Sequence, residues 1–310
     1  MLQRHMPRWV GFALRLAGTA AGLAWIATRV DLDDAKRALG TIPIVTFAMA
    51  VALIAANVVA GALRWRVLLA AYGAVRIPSL ARLTYLYFVA FFYNNYLPGA
   101  VAGDVGRGVV TRDAFESEGA TGAIAVVFVE RLLGLFALFA LLGVGLATAA
   151  DAIDPGSLWW WTVIGGAASC ALVAAIPIAR RLAPYLPGPI SRIAAKLPAL
   201  HDLRAFALAI GLSIITQALV ALAGWGLLAA LAPIDLGASL LIVPLAAATT
   251  FLPITVGGAG AREAVYVALC GRLFGMAGAD ALAASLGLWL AHLLVGGAGG
   301  VAQLVARRRT

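Results

Sequence analysis

One short run of the sequence, YNNYLPGAVAGDVGR at residues 93–107, concentrates polar and helix-breaking residues. Its informative members are two amides, a proline, a glycine, a carboxylate and a guanidinium, namely Asn94, Asn95, Pro98, Gly103, Asp104 and Arg107. A half-helix that begins after a Pro/Gly turn presents unpaired N–H groups and the positive end of its dipole, and both attract an anion. Arg107 adds a planar fork that pairs with phosphate or carboxylate. The run therefore predicts an anion site, in which Asp104 would hold an arginine and release it to the ligand.

The same spacing recurs near the other end of the chain. Leu-Pro-x4-Gly-x3-Arg at residues 97–107 is repeated at residues 252–262. The second motif contributes Pro253, Gly257, Gly258, Arg262 and, directly after it, Glu263. Glu263 is placed to partner an arginine, and Arg262 is a second candidate for the anion. Two Pro/Gly kinks in an ordinary helix bundle are the alternative interpretation of the repeat.

Two adjacent charges interrupt a long apolar segment between these motifs. Glu130 and Arg131 lie about 11 residues after Gly119, which places them near the middle of a membrane at a rise of about 1.5 Å per residue. Charges at that depth are costly and are usually functional. We expect them to pair with charges of the two motifs, with Arg262 or Arg107 as the partner of Glu130. A mutually paired structural couple is the alternative.

The elements that must position these residues are transmembrane helices. The chain of 310 residues is 63% hydrophobic and only 12% charged. Six segments are long and apolar enough to cross a bilayer: Trp9–Thr28, Thr41–Leu63, Gly119–Thr148, Ser157–Ile178, Arg204–Leu231 and Asp280–Ala306. The sequence predicts an all-α polytopic membrane protein in which residues 1–310 form a single integral membrane domain.

Arginine placement predicts the topology, because basic loops stay in the cytoplasm. It places both termini inside and leaves two apolar segments that enter the membrane and return on the same side. Their arms are Leu83–Tyr96 with Asp104–Phe115, and Leu240–Phe251 with Ala261–Leu273. Three spans per half make the second half upside down relative to the first. We expect six full spans, two oppositely oriented re-entrant hairpins and an inverted repeat, about 9–148 and 157–306, as in many transporters.

Several other classes of protein are disfavoured by the residue inventory. The net charge is +9, but the basic residues lie mostly at span ends, where the positive-inside rule and contacts with anionic lipid explain them. No nucleic-acid partner is therefore expected. Cys170, Cys270 and the three histidines are far apart in the sequence, so neither a metal site nor a disulfide framework is predicted. No nucleotide-binding Gly-rich loop is present, and no cofactor is expected.

Three ordered motifs resemble those of the lysylphosphatidylglycerol synthase transmembrane family, also called the flippase-like domain family. They are LPGAVAGDVGR, VERLLGL at residues 129–135 and FLPITVGGAGARE at residues 251–263. Carried over by motif, the resemblance implies functional roles for Pro98, Gly103, Asp104, Arg107, Glu130, Arg131, Gly257, Gly258, Arg262 and Glu263. The sequence departs from the family pattern at one position. The family commonly has two glycines before the aspartate, and Ala102 stands at the first of them. The soluble aminoacyl-transfer domain is absent from this sequence, so lysyl-lipid synthesis is not expected.

The resemblance implies a lipid translocase of the bacterial inner membrane, acting on an anionic or modified phospholipid or glycolipid. Three other functions stay open at this stage. They are a secondary transporter of a small anion, a non-catalytic partner of an envelope-lipid biosynthetic enzyme, and a membrane enzyme. The last is disfavoured because the sequence offers no acidic cluster with metal-ligand spacing.

Overall fold

The computed structural model describes residues 8–97, 102–148, 156–251, 255 and 258–308. Over these residues the chain is helical and contains no strand. The first half contains Arg8–Ala27 (α1), Leu32–Thr41 (α2), Ile44–Ala71 (α3), Leu80–Tyr96 (α4), Ala102–Val110 (α5) and Gly119–Thr148 (α6). The second half contains Gly156–Leu182 (α7), Gly188–Ala195 (α8), Leu203–Ala229 (α9), Leu236–Ala248 (α10), Ala261–Phe274 (α11) and Gly278–Arg307 (α12).

Five helices of the described chain are long and apolar enough to cross a membrane, in agreement with a multi-pass membrane protein. They are α3, α6, α9, α12 and the stretch Leu158–Tyr185 that contains most of α7. The remaining predicted span, Trp9–Thr28, corresponds to α1, a 20-residue helix that is not among these five.

Side-chain caps fix where several helices begin. The carboxylate of Asp202 accepts hydrogen bonds from the backbone N–H groups of Arg204 and Ala205 at the start of α9. Asp235 caps α10 in the same way, through Ala238 at 2.7 Å. The first backbone N–H groups of a helix have no carbonyl acceptor within the helix, and a side-chain oxygen at this position accepts a hydrogen bond from one of them. Polar residues next to long apolar runs therefore define the helix boundaries.

Three contacts between helices that are far apart in the sequence organise the bundle. Helix α3 packs along α9, α4 packs against α12, and α6 packs against α10. A second set of contacts joins consecutive helices, α4 with α5 and α10 with α11. These two pairs of helices lie in the segments predicted as hairpin arms. Helix α4 begins earlier than predicted, at Leu80, and α5 ends earlier, at Val110. Pro98, Pro253 and Gly257 lie outside the described residues.

Close approach of α4 and α5 depends on one glycine. A Cβ at Gly103 would overlap the backbone carbonyl of Ala90 in α4. Neither chain segment can move away cheaply, because both belong to helices. The absence of a side chain at Gly103 thus brings the first turn of α5, and with it Asp104, against α4.

Candidate functional site

Glu130 is the centre of a buried polar cluster between α3, α4, α5 and α6. Its side chain is 1% exposed. Oε2 accepts a hydrogen bond from Arg107 at 2.7 Å, and Oε1 accepts one from Arg64 at 2.8 Å and one from the Tyr87 hydroxyl at 2.7 Å. These bonds satisfy a carboxylate that could not otherwise be kept charged inside a bundle.

Asp104 forms the second anionic centre, in the first turn of α5. Its Oδ1 accepts from Nε of Arg107 at 3.0 Å, and its Oδ2 accepts from Nε of Arg131 at 2.7 Å and from the Asn94 amide at 3.1 Å. The Oδ1 of Asn94 in turn accepts from the backbone N–H of Gly103 at 3.0 Å. The expected pairing of Asp104 with an arginine is present, and Asn94 joins α4 to α5.

Arg107 is enclosed by protein. Its guanidinium bridges Asp104 and Glu130, and its side chain is 2% exposed. The guanidinium carbon also lies 4.7 Å from the ring centroid of Trp65 and 4.4 Å from that of Tyr87, the geometry of a cation–π contact.

Arg64 was not among the residues predicted to form the site, because the sequence favours a surface anchor whose charge snorkels to the interface. The structure corrects this. Helix α3 continues to Ala71, seven residues beyond Arg64, and the side chain turns into the bundle, where it is buried. Besides Glu130, it donates to the hydroxyls of Ser213 at 3.3 Å and Thr216 at 3.1 Å in α9.

The second motif places its charges at the start of α11. Arg262 donates from Nε to Oε1 of its neighbour Glu263 at 2.9 Å, and Oε2 of Glu263 accepts from the backbone N–H of Gly260 at 2.8 Å. Glu263 therefore both caps α11 and holds Arg262. The structure contradicts the expected pairing of Glu130 with Arg262. Glu130 accepts hydrogen bonds from Arg107 and Arg64, and Arg262 donates to Glu263 instead.

Both motifs meet at one cavity of about 270 Å³, the central cavity. Its polar lining includes Asn94 and Asn95 of α4, Arg131 of α6, Gln217 of α9, Arg262 and Tyr266 of α11, His292 of α12, and also Thr250. Arg131 is 37% exposed and Arg262 is 17% exposed, in contrast to Arg107. The structure thus brings together Asn94, Asn95, Arg131 and Arg262, whereas Arg107 and Glu130 stand behind them. Gly258, at a φ of +83°, precedes α11 in a conformation that favours glycine.

Two further cavities adjoin the central one, and Asn94 lines all three. The inner cavity, about 150 Å³, extends towards α3 and α9 and is lined by Asn57, Arg64, Arg131, Thr216 and Gln217 among others. The outer cavity, about 640 Å³, extends towards α1 and α12. Its walls are mainly apolar, as at Leu23, Ile26, Leu282 and Trp289, and the polar side chains of Arg262 and Asn95 also line it.

The fold and the cluster define a polytopic helical membrane protein with charged residues inside its bundle. The sequence model of the "Lysylphosphatidylglycerol synthase TM region" matches residues 11–300. The match covers most of the chain, which therefore belongs to this family, as the three motifs predict. A comparison with curated proteins gave no match.

Proposed function

We propose that the protein is a lipid translocase that moves an anionic or modified phospholipid or glycolipid across the bacterial inner membrane. The observation that supports this most is the central cavity, where Arg131 and Arg262 from opposite halves of the chain face one space beside Asn94 and Asn95. Two guanidinium groups and two amides are suited to a phosphate-bearing headgroup. Family membership supports a lipid substrate.

The outer cavity supports a lipid over a small soluble solute. A lipid must keep its acyl chains in apolar surroundings while its headgroup binds polar groups. The outer cavity provides both environments, because its walls are mainly apolar and its lining includes Asn95 and Arg262. The headgroup would bind to these two residues and pass into the central cavity.

The buried cluster assigns different roles to the arginines. Arg131 is the partly exposed partner of Asp104, so an incoming anion competes with that carboxylate for a guanidinium that is already oriented. Arg107 holds Asp104 and Glu130 in place from behind. We therefore expect Arg131→Gln to reduce translocation more than it lowers the melting temperature. Arg107→Gln should do the reverse, because it leaves two buried carboxylates short of a partner.

The proposed transport rests on an inverted repeat with two re-entrant hairpins and six spans. In order, α1–α6 correspond to α7–α12, each half having a long helix, a short helix, a long helix, two paired shorter helices and a final long helix. The contact of α4 with α12 then has its counterpart in that of α10 with α6. Both are close: a Cβ at Gly299 would overlap the Phe88 carbonyl, and one at Gly145 would lie 2.6 Å from the carbonyl carbon of Leu240.

Cysteine labelling in cells tests this topology, with cytoplasmic termini. A cysteine at the exposed Ser117 should react only with a reagent applied from the cytoplasm, and one at Gly278 only with a reagent applied from the periplasm. Labelling of both positions from the same side would contradict the inverted repeat.

The protein would act without catalysis, its partners being membrane lipids and, as a further proposal, an envelope-lipid biosynthetic enzyme. Lipid analysis of the purified protein tests the substrate. An anionic or modified lipid should co-purify with the wild type and be depleted in Arg131→Gln, but not in Arg82→Gln, which alters an exposed arginine. Equal lipid content in all three would contradict the headgroup site and favour a small-anion transporter.

A further inference from the structure

The inner cavity has an excess of positive charge. Three guanidinium groups and two carboxylates line it, namely Arg64, Arg107, Arg131, Asp104 and Glu130. The other described side chains of the lining are neutral, so the charged groups of the lining sum to +1. An uncompensated charge inside a bundle is costly, and proteins remove the cost by pairing it.

Two residues that line the inner cavity, Arg64 and Asn57, each have a hydrogen-bond donor without a protein partner among the described residues. Nε of Arg64 is buried and makes no hydrogen bond. Asn57, at the midpoint of α3, lines the cavity with an amide that bonds to no other described residue. A buried guanidinium donor and a mid-membrane amide are both expected to be satisfied by something. Charge and donors therefore indicate the same kind of ligand, an anion.

We propose that the inner cavity binds one small monovalent anion, of which chloride is the test case, between Arg64 and Asn57. The volume of about 150 Å³ accommodates a halide ion with water. This site goes beyond the proposed function and does not depend on it: the ion balances the cluster when no substrate is bound. A lipid phosphodiester also has a single negative charge, so the experiment must separate the two sources.

The test measures the melting temperature of the full chain in an uncharged detergent, in sodium chloride and in sodium gluconate at equal ionic strength. A ligand that binds only the folded state raises this temperature with its concentration. At about ten times its dissociation constant, chloride should raise it by about 3 °C. The same melting temperature in both salts would overturn the proposal.

Two substitutions that introduce a carboxylate distinguish chloride binding in the inner cavity from a general salt effect. Asn57→Asp places a fixed negative charge where the ion would bind, so the chloride response should disappear. Gln303→Glu is the matched control: it adds the same charge to a half-buried position outside the inner cavity and should keep the response. A chloride response that survives in Asn57→Asp would also overturn the proposal.

A third arm adds a short-chain phosphatidylglycerol in gluconate. If this lipid stabilises the wild type by the same amount as chloride, does not add to it, and loses its effect in Asn57→Asp, the headgroup and not a small ion is the ligand of the inner cavity. Additive effects of lipid and chloride support the small-ion site. A chloride response in a protein that fails to translocate lipid would leave this site intact and refute only the proposed function.

Discussion

Neutralising Glu130 should be among the most damaging single changes to the stability of the bundle. Glu130→Gln keeps the shape and can still accept from the Tyr87 hydroxyl. It replaces one accepting oxygen by an NH₂ group, which cannot accept from a guanidinium, and removes the charge that faces both Arg64 and Arg107. Breaking a buried ion pair by removing one partner costs about 3–5 kcal/mol.

A double-mutant cycle shows which arginine is the partner. Glu130→Gln combined with Arg107→Gln restores the net charge of the cluster, so the double variant should be more stable than the two single losses predict, by about 1–3 kcal/mol. Glu130→Gln combined with Arg262→Gln should be additive, because Arg262 is bonded to Glu263. Arg262 thus gives the matched control.

The assay is unfolding in detergent at one fixed chloride concentration, monitored by the loss of helical circular dichroism. A cost of about 1 kcal/mol or less for Glu130→Gln, the value of an exposed pair, would refute the buried network. A coupling to Arg262 as large as that to Arg107 would show that the two motifs are connected through Glu130 after all.

Two further predictions concern packing and pH. Gly103→Ala should destabilise by about 1–3 kcal/mol, because its Cβ overlaps a carbonyl of α4, whereas Gly106→Ala in the same helix meets open space and should stabilise slightly; thermal melting compares them. Although partial burial raises it, hydrogen bonds from Ser117 and Arg180 hold the pKa of Glu118 below its usual 4.5. A carboxylate whose pKa is lowered by folding contributes its full stabilisation only above its unfolded pKa. The advantage of the wild type over Glu118→Gln in a stability titration should therefore begin to decline as the pH falls below about 4.5 and should be lost below the lowered pKa of the folded state; an advantage that persists in strong acid would contradict this pair.

The sequence predicts most of the helices, because apolar runs of about 20 residues and polar caps are local signals. The spans at Gly119–Thr148 and Arg204–Leu231 lie within a few residues of α6 and α9. Helix α2 lies between the first two predicted spans, where the sequence analysis predicts no helix, because it has only 10 residues and its mixture of charges hides its amphipathic pattern. Short helices have weak periodicity signals.

Pairing within the candidate site was less accessible from the sequence. The partners of Glu130 are 23, 43 and 66 residues away, in Arg107, Tyr87 and Arg64, and no spacing rule connects such positions. Arg64 illustrates the reason most clearly. Whether an arginine near the end of an apolar run snorkels or turns inward depends on which face of α3 packs against α9, and that is a tertiary property.

Translocation by purified protein is the most direct test of a lipid route through the central cavity. Arg262→Gln with Glu263→Gln removes one guanidinium facing the cavity and its partner charge together, and the new glutamine can still cap Gly260. In proteoliposomes with a fluorescent anionic phospholipid, this variant should flip lipid about 10–100-fold more slowly than wild type. Its melting temperature should stay close to that of wild type. Arg272→Gln, an exposed change in the same helix, should flip at the wild-type rate. Wild-type rates in the double variant, or wild-type protein no faster than empty liposomes, would contradict the lipid route.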